Sequence, residues 1–507
     1  MRLAEVIGAL TLAADTASGY ASEKGLRTVI VASRLADRLS TSPEERRNIF
    51  WVTALRLVGC TAFSPESAEY AAGDDIGLRK TFTHARSSAD FFKRLATDVA
   101  PNAPALTKAT SLSRFLMDSD APRKHASARC ESATLFARTL GMSDDIVASL
   151  DVTGERFDGR GPRKLDAAAL PLAARVADVA DVVELFAWTG GRDLCRRIAQ
   201  ERSGRELDPE LVVMALADLP ELLAGLTESV WELYLAAESA PITQAGDRID
   251  DGCVVLGRFA DVKSRYTLTH SGRVAAFADA AGAAAALSDD DRGLLRRAAH
   301  VHDLGRVAVT TGTWDKRGPL NAVEWQRVRG HSHHTETILR GAHLDLIADV
   351  AGAVHERGGG AGYHKGATLD SVPLLAKIVA AADVFAALGE DRPHRPALDE
   401  AHAIKELRGL VERSELDARA VQLVLEARGV RRGRKSVWPA GLSDREVEVV
   451  RLVAVGRTNK EIGAMLGVSP RTAQKHVMRI YDKVGLESRA GLALYAMQHG
   501  LLDADRA

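Results

Sequence analysis

Residues 442–502 read LSDREVEVVRLVAVGRTNKEIGAMLGVSPRTAQKHVMRIYDKVGLESRAGLALYAMQHGLL. Ser443, followed three residues later by Glu446, forms a capping-box pattern that opens an amphipathic helix, and Gly456 is placed to end it. Ser469 opens a later helix, because serine caps a helix and the proline that follows is tolerated in its first turn. The stretch therefore predicts a run of short helices, which is typical of a small all-α domain.

The helix predicted over residues 471–484 has one apolar stripe and a polar, basic remainder. Its buried face is predicted from residues at helical spacing: Ala473, Val477, Ile480 and Val484. The residues off this stripe are long, polar or basic, as reading a major groove and gripping phosphates requires. An ordinary packing bundle with a solvated basic face is the alternative that the pattern alone leaves open.

The whole stretch resembles the LuxR-type domain of bacterial transcription regulators. The matching segments are Leu442-Ser-Asp-Arg-Glu446, Gly456-Arg-Thr-Asn-Lys-Glu-Ile462, Leu466-Gly-Val-Ser-Pro470, Thr472, His476, Lys483-Val-Gly485 and Ser488-Arg-Ala490. The resemblance implies binding to double-stranded DNA as a homodimer, with residues 488–498 as the pairing helix. From the stripe and the resemblance together, the expected DNA-contacting residues are Lys460, Arg471, Thr472, Gln474, Lys475, Met478 and Arg479.

The chain of 507 residues is too long for one hydrophobic core, because single cores stop growing at about 250–300 residues. Its 67 basic and 68 acidic residues nearly cancel, so any nucleic-acid surface must be local. Apolar residues at helical spacing fill most of the sequence, which predicts an all-α fold. No apolar run approaches the length of a membrane span, so we expect a cytoplasmic protein without a membrane partner.

A weak internal repeat lies in front of residue 428. Four pairs of segments match in order, which indicates a tandem duplication. The pairs are Lys24-Gly-Leu-Arg27 with His270-Ser-Gly-Arg273, residues 42–46 with 288–292, residues 155–161 with 356–362, and residues 171–181 with 373–383. The last pair predicts, in each half, an apolar helix that ends in an aspartate.

The second half collects residues that bind metal ions. They are His270, His302, Asp303, His331, His355 and Asp383. A lone buried histidine is usually a hydrogen-bonded core residue. Imidazole and carboxylate together are the ligands of a divalent ion that activates water, so the set as a whole predicts a metal site.

The same segments resemble the HD-GYP phosphohydrolases. The motifs that carry the resemblance are His270-Ser-Gly-Arg-Val, His302-Asp-Leu-Gly-Arg306, His331, His355-Glu-Arg and Gly360-Ala-Gly-Tyr-His364. The resemblance implies a helical domain that uses iron, manganese or a similar divalent ion to hydrolyse a cyclic dinucleotide such as cyclic di-GMP. The matching ligand positions of the family imply that one ion is held by His270, His302, Asp303 and Asp383. They also imply that Asp303 bridges to a second ion, which is held by His331 and His355.

Arg306 stands where the family usually has a lysine that contacts substrate phosphate. We therefore take Asp303 and Arg306 as the candidate catalytic residues, since arginine pairs with phosphate bidentately. Other positions depart from the family pattern and leave one or two ions rather than three. They are Val354 in place of a histidine, Gly359 in place of an aspartate, His364 in place of a proline, and Tyr266 in place of a carboxylate. Gly359 and His364 predict that the glycine-rich segment at the edge of the substrate site, here called the lip, is held less tightly.

The first half lacks most of the residues that could bind a metal ion. At the matching positions it carries Lys24, Arg56, Leu57, Cys130 and Gly154, and it retains only Asp181. These residues do not make a metal site. We interpret the first half as a degenerate partner and Asp181 as a hydrogen-bond acceptor at a helix end.

The predicted fold is all-α, with tandem HD-like helical domains followed by a four-helix LuxR-type helix-turn-helix domain. The expected limits are a degenerate HD-like domain at 1–240, an HD-GYP-like metal-binding domain at 241–427, a basic linker at 428–441 and the helix-turn-helix domain at 442–507. The linker is either a solvated hinge or an arm that follows DNA phosphates.

The sequence predicts a transcription regulator whose HD-GYP-like region senses or hydrolyses a phosphorylated ligand and thereby controls DNA binding. The alternative is a metal-dependent cyclic dinucleotide phosphodiesterase that uses its DNA-binding domain only for localisation. The retained histidines and aspartates favour the enzyme, whereas Val354, Gly359 and Tyr266 oppose it.

Overall fold

The computed structural model describes residues 2–227, 229–239, 247–360, 362–428 and 438–502. These residues form helices, turns and two isolated bridges, and none of them belongs to a named strand. The all-α prediction is therefore confirmed. The chain divides into two compact units, Met1–Ile249 and Asp250–Ala507.

The described residues of the first unit form thirteen helices and the start of a fourteenth. In chain order they are α1 Leu3–Ala17, α2 Lys24–Ala36, α3 Pro43–Leu55, α4 Ser64–Tyr70, α5 Asp75–His84, α6 Ser88–Thr97, α7 Ala105–Met117, α8 Ala121–Thr139, α9 Asp144–Asp151, α10 Leu172–Arg202, α11 Pro209–Ala217, α12 Leu219–Leu222, α13 Trp231–Ala236 and α14 Asp247–Asp261.

The second unit contains the metal-ligand candidates and the helix-turn-helix domain. Its helices after α14 are α15 His270–Ala284, α16 Asp289–Val301, α17 Thr311–Trp314, α18 Ala322–Gly341, α19 Asp345–Ala351, α20 Leu374–Leu388, α21 Glu400–Glu412, α22 Ala418–Ala427, α23 Asp444–Ala454, α24 Asn459–Leu466, α25 Pro470–Val484 and α26 Arg489–Gln498.

The internal repeat appears as matching helix ends in the two units. Helix α2 begins at Lys24 as α15 begins at His270, and serines at matching positions cap α3 and α16. A buried aspartate ends α14 and accepts a hydrogen bond from the Ser271 amide, as Asp15 in α1 does from the Gly25 amide. The two halves therefore share one scaffold even where their site residues differ.

The helices that follow the paired prolines are longer than the pattern predicted. Pro171 and Pro373 occupy the N-cap positions of α10 and α20, where a fixed φ prepares the first turn. Both helices continue past the aspartates that were expected to end them, to Arg202 and Leu388. That expectation was wrong, because apolar residues continue at helical spacing beyond each aspartate.

The helix-turn-helix domain follows its capping chemistry closely. Ser443 and Glu446 form the predicted capping box, and Ser469 caps α25. Gly456 follows α23 with a φ of 78°, a left-handed conformation that glycine adopts readily. The predicted stripe of α25 packs into one core with α23 and α26; Val484 lies at its edge, and Ala473, Val477 and Ile480 are buried.

One expected domain boundary and most of the expected linker fall on residues outside the described ranges. The first boundary lies at 240–241, and most of the basic linker, residues 429–437, is also outside them. The domain limits and both interpretations of the linker therefore remain predictions.

Candidate metal centre and DNA-binding surface

Six side chains from five elements meet inside the second unit. His270 opens α15, His302 and Asp303 follow the last turn of α16, His331 lies in α18, His355 follows α19, and Asp383 lies in α20. All six are buried. The structure thus brings together every residue that the sequence predicted as a metal ligand.

Asp303 lies at the centre of this cluster, and its two carboxylate oxygens contact different side chains. Its Oδ1 is 3.0 Å from Nε2 of His331 and 3.1 Å from Nε2 of His355. Its Oδ2 accepts a hydrogen bond of 3.0 Å from Nη1 of Arg306 and lies 3.7 Å from Nε2 of His270. One carboxylate therefore contacts both groups of histidines, as a bridging ligand must.

Asp383 faces the same histidines from α20. Its Oδ1 is 3.1 Å from Nε2 of His270 and 3.7 Å from Nε2 of His302, and its Oδ2 is 3.7 Å from Nδ1 of His355. Three overlapping groups of ligand atoms result, each with all its atoms within 4.8 Å of one another. They are His270, His302 and Asp303; His302, His355 and Asp383; and Asp303, His331 and His355.

Two of the histidines present a ring nitrogen that makes no well-oriented hydrogen bond. Nδ1 of His302 lies 2.8 Å from the Ala299 carbonyl, and Nδ1 of His331 lies 2.5 Å from the Val328 carbonyl. Because a carbonyl only accepts, Nδ1 carries the proton and Nε2 carries a lone pair. Both Nε2 atoms are buried and make no well-oriented hydrogen bond among the described residues, although Nε2 of His331 lies 3.0 Å and Nε2 of His302 3.6 Å from Oδ1 of Asp303. Such a grouping of imidazole nitrogens around a carboxylate oxygen fits a divalent ion in the cluster.

The two carboxylates are held in their ionised form. Burial alone would raise the pKa of Asp303, but the charges of His302 and Arg306 hold that pKa well below its usual value. Burial likewise opposes ionisation of Asp383, and the adjacent imidazoles of His270 and His302 keep its pKa well below its usual value. Two buried anionic ligands are what a divalent ion requires.

Arg306 is fixed beside the cluster. Its guanidinium lies 4.2 Å from the centre of the Trp314 ring, and the indole Nε1 of Trp314 donates to the Arg306 carbonyl. Its Nη1 donates to Asp303, while its Nε is buried without a hydrogen-bond partner. A phosphate oxygen is a suitable acceptor for such a group.

The predicted DNA-contacting side chains are exposed, six of them on α25 and Lys460 on α24. The seven residues Lys460, Arg471, Thr472, Gln474, Lys475, Met478 and Arg479 are all exposed. Met478 is 53% exposed, although it is a large apolar side chain on the same helix as the buried stripe. The structure therefore separates the polar face of α25 from its core face as the sequence predicted.

Family models match both regions. One described as "HD domain" matches residues 255–419, and one described as "Bacterial regulatory proteins, luxR family" matches residues 440–496. The 3'3'-cGAMP-specific phosphodiesterase 3 of Vibrio cholerae serotype O1 is 30% identical over 417 residues, which cover 80% of this chain and 90% of that protein. The chain belongs to this HD-domain family.

Two further relatives are similar to different parts of this HD-domain protein. A crystal structure described as a cyclic GMP-AMP specific phosphodiesterase of V. cholerae matches it with a TM-score of 0.57 and 25% identity, covering 85% of this chain and 99% of that chain. The transcriptional regulatory protein MctR of Rhizobium johnstonii is 39% identical over 61 residues, 12% of this chain and 28% of that protein. The HD-domain protein therefore carries a C-terminal LuxR-type domain.

In the first half of the HD-domain protein, basic side chains occupy the positions that match His270 and His302. Lys24 and Arg56 both form buried ion pairs with Oδ1 of Asp181. Asp181 lies within α10, so its expected role as a helix-end acceptor was wrong. Burial, together with the charge of Arg56, lowers the pKa of Lys24 to about 7. Two cationic side chains thus stand where the second half has two histidines.

Glu390 is a site residue of the HD-domain protein that sequence reasoning missed. Its Oε2 lies 3.0 Å from Nδ1 of His270, and its carboxylate also contacts Arg273 and Arg392. Glu390 follows α20 in an irregular segment, so helical spacing could not connect it with His270. Its contact with His270 depends on the tertiary fold alone.

The glycine-rich segment of the HD-domain protein is held in place at several points. The buried Glu356 carboxylate accepts hydrogen bonds from the amides of Lys365 and Ala367. Nε2 of His364 lies 2.9 Å from Oε2 of Glu336 in α18. Ala361, within the same motif, lies outside the described residues. His364 thus ties the lip to α18, a contact that the expectation of a looser lip did not include.

Tyr363 of the same segment packs on the metal-ligand candidates. Its ring stacks on His355 with centres 5.0 Å apart and meets His331 edge-on at 5.5 Å. Val354, where the family has a further histidine, is fully buried. The six clustered residues are therefore buried even with an apolar side chain at that position.

Helix α26 is buried on more than one face. The face toward the helix-turn-helix core consists of Leu492, Tyr495 and Ala496. On the opposite side Ala493, Leu494 and Met497 are only 5%, 2% and 7% exposed, although they lie outside that core. Nη2 of Arg258 in α14 donates a hydrogen bond of 3.4 Å to the Gln498 carbonyl at the end of α26. The HD region thus contacts the helix that was expected to mediate pairing.

None of the helices in the described ranges is long and apolar enough to cross a membrane.

Proposed function

We propose that this HD-domain protein is a DNA-binding transcription regulator whose second half binds, and in its metal-loaded state hydrolyses, a cyclic dinucleotide. One observation carries the proposal: a single chain combines a buried cluster of four histidines and two aspartates with an exposed basic helix in a LuxR-type domain. The first feature suits a phosphorylated ligand, and the second suits double-stranded DNA.

The six clustered residues are proposed to hold one or two divalent ions, with iron or manganese suited to their mixed nitrogen and oxygen ligands. Asp303 is the proposed bridging ligand because its two oxygens face different histidines. Divalent ions in such a site lower the pKa of water and neutralise charge on a phosphoryl group. The buried Nε2 atoms of His302 and His331, which lie near Oδ1 of Asp303, support their assignment as ligands.

Arg306 is the proposed phosphate-binding residue. Its contacts with Asp303 and Trp314 hold the guanidinium in one orientation before any ligand enters. Its unpartnered Nε supplies a further donor, so pairing with phosphate costs little rearrangement. In the proposed reaction, water adds to one phosphorus, one P–O bond breaks, and the cyclic dinucleotide becomes linear.

The ligand class rests on chemistry and on the relatives. The named activity of the V. cholerae relative concerns 3'3'-cGAMP, and that protein aligns with most of this chain. Cyclic dinucleotides present two phosphodiesters, which suit a site that combines Arg306 with divalent ions. We therefore propose this class and leave the bases to experiment.

Hydrolysis is tested by incubating the purified full-length protein and Mn²⁺ with 3'3'-cGAMP or cyclic di-GMP and separating the products. We expect a linear dinucleotide from the wild type and none from Asp303→Asn. Asp279→Asn, which changes a half-exposed carboxylate in α15, is the matched control and should leave turnover unchanged. Binding without any linear product would restrict the second half to sensing.

The proposed route from ligand to DNA passes through α26. This helix resembles the pairing helix of LuxR-type domains, and Arg258 of the HD region contacts its end. A ligand that binds differently to two arrangements of the HD region would shift the fraction of molecules in which α26 is free to pair. The proposed DNA-bound state is a homodimer.

A phosphodiesterase that uses DNA only for localisation is the second candidate. The buried cluster of six candidate ligands and the relative from V. cholerae favour it. The two candidates differ in one respect: a regulator changes its DNA affinity when the dinucleotide binds, whereas a localised enzyme does not.

A further inference from the structure

Glu390 lies outside the six-residue cluster and contacts one of its four histidines, His270. His302 and His331 each direct Nδ1 at a backbone carbonyl. Nδ1 of His270 instead lies 3.0 Å from Oε2 of Glu390, whose side chain is 9% exposed. Unlike the Nδ1 atoms of His302 and His331, the Nδ1 atom of His270 therefore meets an anionic side chain that lies outside the six-residue cluster.

The carboxylate of Glu390 is itself fixed by two arginines. Nη2 of Arg392 donates to Oε2 at 2.8 Å, and Nη1 of Arg273 lies 3.3 Å from Oε1. Arg273 is one turn after His270 in α15, so the same helix that carries the histidine also anchors its partner. The charge of Glu390 is compensated within the site, which permits its burial.

The direction of the hydrogen bond follows from the chemistry of the two groups. A carboxylate accepts, so Nδ1 of His270 donates to Glu390, and a divalent ion in the cluster would then take the lone pair of Nε2. That Nε2 lies 3.1 Å from Oδ1 of Asp383, inside the cluster. A charged acceptor on the outer nitrogen makes an imidazole a stronger metal ligand than a backbone carbonyl does.

We propose that Glu390 is a positioning residue that holds His270 in the ligand tautomer and strengthens its binding of one of the divalent ions. The inference rests on the metal site of the proposed function. It assigns a role to a residue outside the predicted ligand set, and it distinguishes the two proposed ion sites. Loss of Glu390 weakens the ion at His270 and spares the ion held by His331 and His355.

The test is Mn²⁺ titration of the full-length protein by calorimetry, with electron paramagnetic resonance to count bound ions. His270→Ala and His331→Ala first identify the binding step that belongs to each site. Glu390→Ala is then expected to weaken the step that His270→Ala abolishes by about 10- to 100-fold, and to leave the His331 step at its wild-type affinity. Glu415→Gln, at an exposed carboxylate paired with Arg413, is the matched control and should bind as the wild type does.

Glu390→Gln separates orientation from charge, because its amide oxygen still accepts from Nδ1. We expect this variant to recover part of the affinity lost in Glu390→Ala, with an unchanged melting temperature. Wild-type Mn²⁺ affinity in Glu390→Ala, or equal weakening of both steps, would overturn the inference. A wild-type protein that binds no divalent ion would instead overturn the proposed metal site, so the two failures are distinguishable.

Discussion

Lys24 and Asp181 form a buried ion pair at the positions where the second half has His270 and Asp383. Arg56 joins the same carboxylate from the position that matches His302. The first half thus retains the aspartate and replaces two neutral ligands with two cations, which compensate its charge without a metal ion. This exchange explains how one scaffold can support a charged core in each half.

Lys24→Ala is expected to destabilise the protein by about 3 kcal/mol, because removing one partner leaves a buried charge poorly compensated. Urea unfolding followed by circular dichroism measures the change. Arg38→Ala is the control, since its ion pair with Asp218 is exposed and should contribute less than about 1 kcal/mol. Equal effects of the two variants would argue against a structural role for the Lys24 pair. Mn²⁺ binding should be unchanged in both.

The free energy of unfolding should also depend on pH, because Asp261 ionises in the acidic range. Burial raises the pKa of Asp261 to about 6, despite hydrogen bonds from Ser271 that lower it. The folded state holds the Asp261 proton more tightly than the unfolded chain does. The stabilisation by the protonated carboxyl is therefore fully present below about pH 4 and is lost as the pH rises through 6. Asp261→Asn should flatten that part of the stability profile; an unchanged slope in thermal unfolding from pH 4 to 6 would contradict it.

DNA binding should depend on the exposed face of α25. Lys475→Ala is expected to weaken binding to a target promoter fragment by about 1–3 kcal/mol, because a contact to a base edge or phosphate is lost. Fluorescence anisotropy measures the affinity at fixed salt. Arg445→Ala, on α23 and paired with Glu448, is the matched control. If Lys475→Ala binds every fragment as tightly as the wild type, α25 is not the recognition helix.

Arg258→Ala should act in the opposite direction on DNA affinity. Loss of its contact with the Gln498 carbonyl frees the end of α26, so pairing on DNA should strengthen by about tenfold. Arg297→Ala, which removes a cation paired with Asp250, serves as the control. Weaker binding, or no difference from the control, would show that this contact does not restrain the DNA-binding domain.

Local chemistry explains why parts of the fold could be predicted from the sequence. Ser443, Glu446 and Ser469 set helix ends through neighbours three residues away, so α23 and α25 follow their patterns to within one residue. The six clustered residues could be predicted as candidate ligands because histidine and aspartate at motif spacing indicate metal binding without a structure.

Long-range contacts explain what the sequence could not predict. Glu390 reaches His270 from 120 residues away, and Lys24 reaches Asp181 from 157 residues away. No periodicity connects such pairs, because only the packing of helices brings them together. The second buried face of α26 likewise does not follow from the pattern of that helix, and the end of α26 is contacted by Arg258 from 240 residues away.

Control of DNA binding by the second half is tested most directly by the affinity of the full-length protein for a promoter fragment, measured with and without saturating 3'3'-cGAMP or cyclic di-GMP in the presence of Mn²⁺. We expect one dinucleotide to change this affinity by about fivefold or more in the wild type, and not in a His302→Ala, Asp303→Ala double variant. Identical DNA affinity with and without each dinucleotide, in a protein that demonstrably binds one of them, would contradict control of the DNA-binding domain by the second half.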